Sequence, residues 1–304
     1  MVDTGGVTRF QTSWEIAKRS WAVLKSDKSL AWFPVLSLLA SLLVFGVVAG
    51  LFAAVGVDSE GTKDAMQPVG WVLIGLGYIG LAFVQTYFLA ALVAGADRRL
   101  HGQDSTVKGA LEIANSRLHR LLPWALVSAT VSVIIQQLER QGIIGQIIGA
   151  IVGLAWNLIT FLTIPILVLE DVGIGTAFKR SKDLFKRTWG ENVVGQFGLG
   201  IVGFLASLPG ILIITIGVAT GSVVAAVAIG AVGVAWLIVA ATIVSALSGI
   251  YRTALYWYAS TGTVPGAFEG IDFQAAFRPR RINPRGMFGG GGGGTSPTGG
   301  FNPN

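Results

Sequence analysis

Five long stretches of the chain are bounded by charges and contain none: Lys28 to Asp58, Asp64 to Asp97, Arg120 to Glu139, Arg140 to Glu170 and Glu191 to Arg252. A helix crossing the hydrocarbon core of a bilayer needs about 20 apolar residues. The first four stretches each hold one such helix, the third only just. The fifth holds two, with GVATGS at Gly217 to Ser222 as the turn between them. The pattern predicts spans at about 31–57, 66–96, 121–138, 141–169, 192–217 and 222–251. Residues 1–280 then form one integral membrane domain. A single apolar run can be a buried helix of a soluble protein, but six in succession cannot.

The segments between spans follow a different period. In RFQTSWEIAKRSWAVLKSDKS, Phe10, Trp14, Ala17, Trp21 and Leu24 recur at helical spacing, while Glu15, Lys18, Arg19 and Lys25 take other faces. Thr12 and Glu15 have the spacing of a capping box. A second such segment places Val107, Ala110, Leu111, Ala114 and Leu118 on one face; a third places Ile174, Ala177, Phe178, Ser181, Leu184, Phe185 and Thr188 there. Amphipathic helices with a basic polar side lie in the membrane interface. The expected fold is therefore all-α: a polytopic transmembrane bundle of about six spans with three amphipathic interfacial helices on the cytosolic side. KRS followed by three residues, an apolar residue and Lys recurs between Lys18 to Lys25 and Lys179 to Lys186. One interfacial helix plus a two-span hairpin would then be a unit used three times, at about 10–96, 105–169 and 174–258. Because each unit starts on the same side, the repeats would be parallel. Three unrelated linkers are the alternative.

Charge supplies the orientation. Of the 22 basic residues, all but Lys63 and Arg140 fall on the side of the two termini. Basic residues are retained in the cytosol, so both termini are expected there, in the plasma membrane. Charged residues make up only 12% of the chain against about 25% in an ordinary soluble protein. The net charge of +6 thus describes one membrane face and not a nucleic-acid-binding surface. Lys18, Arg19, Lys179, Arg180, Lys182, Lys186 and Arg187 become the candidate contacts for anionic inner-leaflet headgroups.

Two glycine motifs, GLGYIG at 75–80 and GLGIVG at 198–203, have the spacing of a dinucleotide-binding loop. That loop must join a strand to an amphipathic helix with an acid about 20 residues on. Here both motifs sit inside uncharged apolar runs, where glycine lets helix backbones approach closely. Gly145, Gly149 and Gly153 form a ladder of the same kind, which continues to Asn157 and Thr160. This stripe is expected to be a packing seam with Asn157 hydrogen-bonded across helices; a polar contact in a substrate path is the other reading. Pro165 and Pro209, the latter followed by Gly210, are expected to kink their spans.

Enzyme chemistry has little to build on. No cysteine is present, which removes disulfides, thiol nucleophiles and thiolate metal sites. His101 and His119 lack the spacing and carboxylate partners of a metal site. No cofactor is expected. Glu170 and Asp171 form an acidic pair beside the membrane, expected to stabilise the start of the basic helix that follows. Tyr251, Tyr256, Trp257 and Tyr258 are expected in an aromatic belt. Arg252 among them is expected to reach the inner headgroups or an acid such as Glu170. The N-terminus does not read as a cleavable signal. Residues 281–304, rich in glycine, read as a disordered cytosolic tail.

The run PILVLEDVGIGTAFKRS at Pro165 to Ser181 and the ending ALYWYASTGTVPGAFEGIDFQAAF at Ala254 to Phe277 resemble uncharacterised six-span bacterial and archaeal membrane proteins. A more distant resemblance is to the membrane domain of some glycerophosphodiester phosphodiesterases. These resemblances imply an architecture and carry no activity. Two function classes follow. One is a non-enzymatic protein that organises lipid or a partner at the inner leaflet, whether as a homo-oligomer or with another membrane protein. The other is a permease for a small or lipidic molecule. No acid or base within the spans marks a proton pathway.

Overall fold

The computed structural model describes residues 4–55, 68–187, 189–263 and 265–268 of the 304-residue chain. The side chain of Phe10, Arg187, Thr188, Lys63 and the tail at 281–304 lie outside what is described. Helices α1 (Thr4–Ser26), α2 (Trp32–Val55) and α3 (Pro68–Leu100) come first. Then follow α4 (Val107–Ser116), α5 (Leu118–Glu139), α6 (Gly142–Thr160) and α7 (Thr163–Leu169), and finally α8 (Ile174–Arg187), α9 (Trp189–Ala219) and α10 (Val223–Thr261). No strand occurs among the described residues. Among the described residues, six stretches are long and apolar enough to cross a membrane: Lys28–Ala54, Val69–Leu100, Leu118–Glu139, Gly142–Leu169, Leu199–Ala219 and Val223–Thr261.

Local chemistry sets the boundaries. Asp27 accepts from the Ser29 backbone N–H and opens the short 3₁₀ turn ahead of α2. Thr106 caps α4 through the Gly109 N–H, and Ser222 caps α10 through the Ala225 N–H. A side-chain oxygen at such a position satisfies one of the donors that the first helical turn leaves unpaired. The two tight hairpin turns use left-handed glycines, Gly142 at φ 75° and Gly221 at φ 68°. Gly262 at φ 74° ends α10, its N–H bonding the Tyr258 carbonyl.

The order short helix, long helix, long helix occurs three times, and the long helices pair as hairpins α2–α3, α5–α6 and α9–α10. Helix α3 is the hub, packing on α2, α5, α7 and α10. Burial is concentrated at the end of the bundle where the short helices sit. There Ala90 to Ala94 of α3, Ile166 and Leu167 of α7 and Ile250, Tyr251 and Leu255 of α10 meet Ile16, Leu24, Ala110, Ala114, Ala177 and Leu184 of the short helices in one apolar core. Farther along, Leu43, Phe45, Ile143, Ile144, Val223 and Val224 are exposed, as lipid-facing surface requires.

Several sequence expectations change on this frame. α1 starts at Thr4, so Thr12 lies in mid-helix and is no cap. The face of α1 that packs inward is Ile16, Ala17, Ser20, Val23 and Leu24; Trp14 and Trp21 lie outside it, 49% and 38% exposed. Tyr251 and Tyr256 are core residues and not part of a lipid-facing belt. The fourth span breaks at Phe161 and Leu162 because Pro165, lacking an N–H, cannot bond the Phe161 carbonyl and its ring crowds that group. The Ile159 carbonyl beside the break is taken by the Ser181 hydroxyl of α8 at 2.5 Å. By contrast, α9 remains continuous through Pro209.

Candidate functional site

The short-helix end carries most of the described charge. Three polar ties hold the elements together there. Trp257 of α10 donates its indole N–H to Asp97 of α3 at 2.6 Å, and His101 lies 3.4 Å from the same carboxylate with its ring edge against Trp257. Glu170 accepts from the Tyr256 hydroxyl at 2.9 Å and pairs with Arg180 of α8 at 2.7 Å. Asp171 pairs with Arg117 and, at 2.9 Å, with Arg120, bracing the α4–α5 junction. The acidic pair precedes α8, which begins at Ile174 with no acid in its first turn. It therefore joins neighbouring elements, where charge at the start of α8 was expected. His119 lies 2.9 Å from Arg120, and no cluster of three or more metal-ligating side chains occurs among the described residues.

Outside these ties, further cationic side chains lie at the surface of α1 and α8. On α1, Lys18 Nζ lies 5.7 Å from the ring centre of Trp14 and Lys25 Nζ lies 5.7 Å from that of Trp21. Both pairs have i, i+4 spacing and are offset by seven residues, so they form one stripe a little over three turns long. Lys18 also meets Glu15 at 3.2 Å, and Arg19 is half-buried beside it. On α8, Lys179, Lys182 and Lys186 are exposed, whereas Arg180 is held by Glu170. Helices α1 and α8 both pack on α9 and α10 and have at most marginal contact with each other.

The glycine stripe faces its own hairpin. Gly145 and Gly149 are buried, and a methyl group on either would run into residues 138–141 at the end of α5; Gly153 faces Ile135. Asn157 is exposed and makes no hydrogen bond across helices among the described residues, while Thr160 turns back to its own helix through the Trp156 carbonyl. GLGYIG lies within α3, where Gly77 and Gly80 face Val48 and Val44 of α2. GLGIVG lies within α9, where Gly203 faces Val244 of α10. Neither motif is a loop.

Beyond the break in the fourth span, the second and third hairpins diverge. α6 has at most marginal contact with α9 or α10, and the space between encloses a cleft of 780 Å³. Its wall includes Gln85 and Thr86 of α3, Ser128 and Ser132 of α5, Asn157 of α6, Ser207 of α9 and Ser245, Ser248 and Arg252 of α10. Trp124 and Trp156, stacked at 6.0 Å, floor it, and Phe178 of α8 continues the stack at 5.9 Å. Arg252 does not reach Glu170; its guanidinium lies 4.3 Å from the ring centre of Phe161.

A family model fits residues 68–266, which cover both later hairpins and every wall of this cleft. The chain belongs to DUF6159, a family of unknown function. Comparisons with curated proteins and with solved structures gave no match.

Sequence reading singled out the basic residues and the glycines, and passed over the cleft. A signal was present: Ser128 with Ser132, and Ser245 with Ser248, repeat at helical spacing inside otherwise apolar spans. Without knowing which helices face each other, nothing joins those pairs to Asn157 and Arg252.

Proposed function

We propose that this DUF6159 protein is a non-enzymatic membrane protein that binds and organises anionic lipid at the cytosolic leaflet. The observation that carries this reading is the α1 stripe, in which two exposed indoles each lie beneath a lysine ammonium. Tryptophan prefers the headgroup level, where its ring is partly apolar and its N–H is solvated. A lysine beside it adds attraction to acidic lipid of roughly 1 kcal/mol per charge near the surface. On this reading the three short helices lie at the inner interface, both termini are cytosolic, the host is the plasma membrane, and α8 supplies a second contact through Lys179, Lys182 and Lys186.

The test uses the full-length protein purified from membranes. Lys182→Gln with Lys186→Gln should lower the acidic lipid that co-purifies, and Trp14→Ala with Trp21→Ala should lower it further. Lys179, Arg180 and Arg187 still hold orientation in the first variant. Equal lipid retention in properly folded variants would overturn the surface reading.

A further inference from the structure

The cleft holds a cation without a counter-charge. Arg252 makes no ion pair among the described residues, and its Nε is buried with no hydrogen-bond partner. Three acids that border the spans at this end are committed to other partners: Asp97 to Trp257 and His101, Glu170 to Tyr256 and Arg180, Asp171 to Arg117 and Arg120. Among the described residues, no carboxylate lines the cleft. A guanidinium set among apolar spans is costly unless an anion compensates it, and an aromatic face offers only part of that.

The hydroxyls of the wall point the same way. Some hydroxyls of the spans turn back onto their own helix, Thr130 to Leu126 and Thr215 to Ile211 away from the cleft, and Thr160 to Trp156 and Ser207 to Phe204 on its wall. Ser128, Ser132, Ser245 and Ser248 line the cleft without such bonds, as does Asn157. Polar groups in a membrane require partners. Along the α10 wall Leu237, Ala240, Ala241 and Val244 give way to Ser245, Ser248 and Arg252, a polar track of about 10 Å at the helical rise that ends on the guanidinium. A bare hydrocarbon chain would leave the track unsatisfied.

We infer that the cleft is a binding site for an anionic, hydrogen-bonding group, the phosphoryl headgroup of an acidic lipid, held at Arg252 and along the serine track. A phosphoryl oxygen accepts from a guanidinium with strong, charge-assisted geometry, and its remaining oxygens and glycerol hydroxyls match Ser and Asn. A lipid is favoured over a free anion because the cleft lies between diverging hairpins whose outer faces are apolar, as Ile151 and Leu154 of α6 and Phe204 and Leu205 of α9 show. This site is separate from the lysines of α1 and α8 and does not depend on the surface reading.

The experiment is thermal unfolding of the delipidated full-length protein in detergent with dioleoylphosphatidylglycerol, dioleoylphosphatidylcholine or inorganic phosphate. The phosphatidylglycerol should raise the melting temperature and the phosphatidylcholine should not. Arg252→Gln should need about tenfold more phosphatidylglycerol for the same shift, because a charge-assisted bond is lost. Ser132→Leu, an apolar change in an apolar span, should weaken the response by filling the cleft even where Arg252→Gln fails to fold. In a Lys182→Gln, Lys186→Gln background, whose surface contacts are already weakened, Arg252→Gln should still lower the response, which separates this site from the surface contacts. Stabilisation by phosphate that depends on Arg252 would keep the anion site and overturn the lipid as its source. Equal responses in the wild type, Arg252→Gln and Ser132→Leu, or none in the wild type, would overturn the site.

Discussion

Gly249 and Gly75 both lie inside long helices, yet only one has a neighbour where a side chain would start. A methyl group at Gly249 would run into Leu92, a fully buried residue of α3 with no room to move; at Gly75 it would meet nothing within 4 Å. Gly249→Ala should therefore destabilise by roughly 1–3 kcal/mol through overpacking. Gly75→Ala should be neutral, or stabilising by up to about 1 kcal/mol, since alanine is the better helix former. Melting temperatures of the two variants in one detergent check this, and equal losses would remove the α3–α10 seam from the account. Gly149→Leu belongs with the first case, because its side chain would collide with Glu139. Sequence shows glycines at all these positions alike; which of them face a neighbour is a property of the packed hairpins.

At the scale of elements, the short helices are fastened by particular residues as well as by their apolar faces. Asp171 is a non-glycine residue at φ 55°, a backbone that Asn tolerates as readily as Asp. Asp171→Asn therefore removes the charge opposite Arg117 and Arg120 without changing the backbone preference. Because Asp171 is 49% exposed, the loss should be modest, up to about 1 kcal/mol, and smaller still at high salt. Salt titration of the melting temperature in both proteins separates charge from geometry. Ser181→Ala should cost more, about 1–3 kcal/mol, since the Ile159 carbonyl would lose its partner at the break. The amphipathic faces of α4 and α8 were legible because burial follows helical period: Ala110, Ala114, Ala177, Ser181 and Leu184 all turn inward. In α1 the same period selects two overlapping faces, one through Trp14 and Trp21 and one through Ile16 and Val23. Hydrophobicity alone ranks the indoles first, but the core took the narrower aliphatic face and left the bulky rings outside.

For the whole molecule, orientation is the property most open to test. The chain has no cysteine, so single cysteines at Ser59 and Ser296 can be labelled without background. An impermeant reagent on intact cells should label the first and spare the second, as expected where basic residues mark the cytosolic side. External labelling at both positions would mean an odd number of crossings. Six candidate spans among the described residues were legible in the sequence by itself, because hydrocarbon imposes one requirement on every residue of a spanning helix, and charge-free runs record it locally. The thrice-repeated order of short helix and hairpin was legible for the same reason. What the tertiary structure alone decided is which helices touch. It set the hairpins apart around a serine-lined cleft, paired Glu170 and Asp171 with arginines of other elements, and left Arg252 without an acid among the described residues. Such contacts join residues far apart in the sequence, 86 positions in the Tyr256–Glu170 bond and 160 in the Trp257–Asp97 bond, and no local period encodes a contact between helices that meet only after the whole bundle has packed.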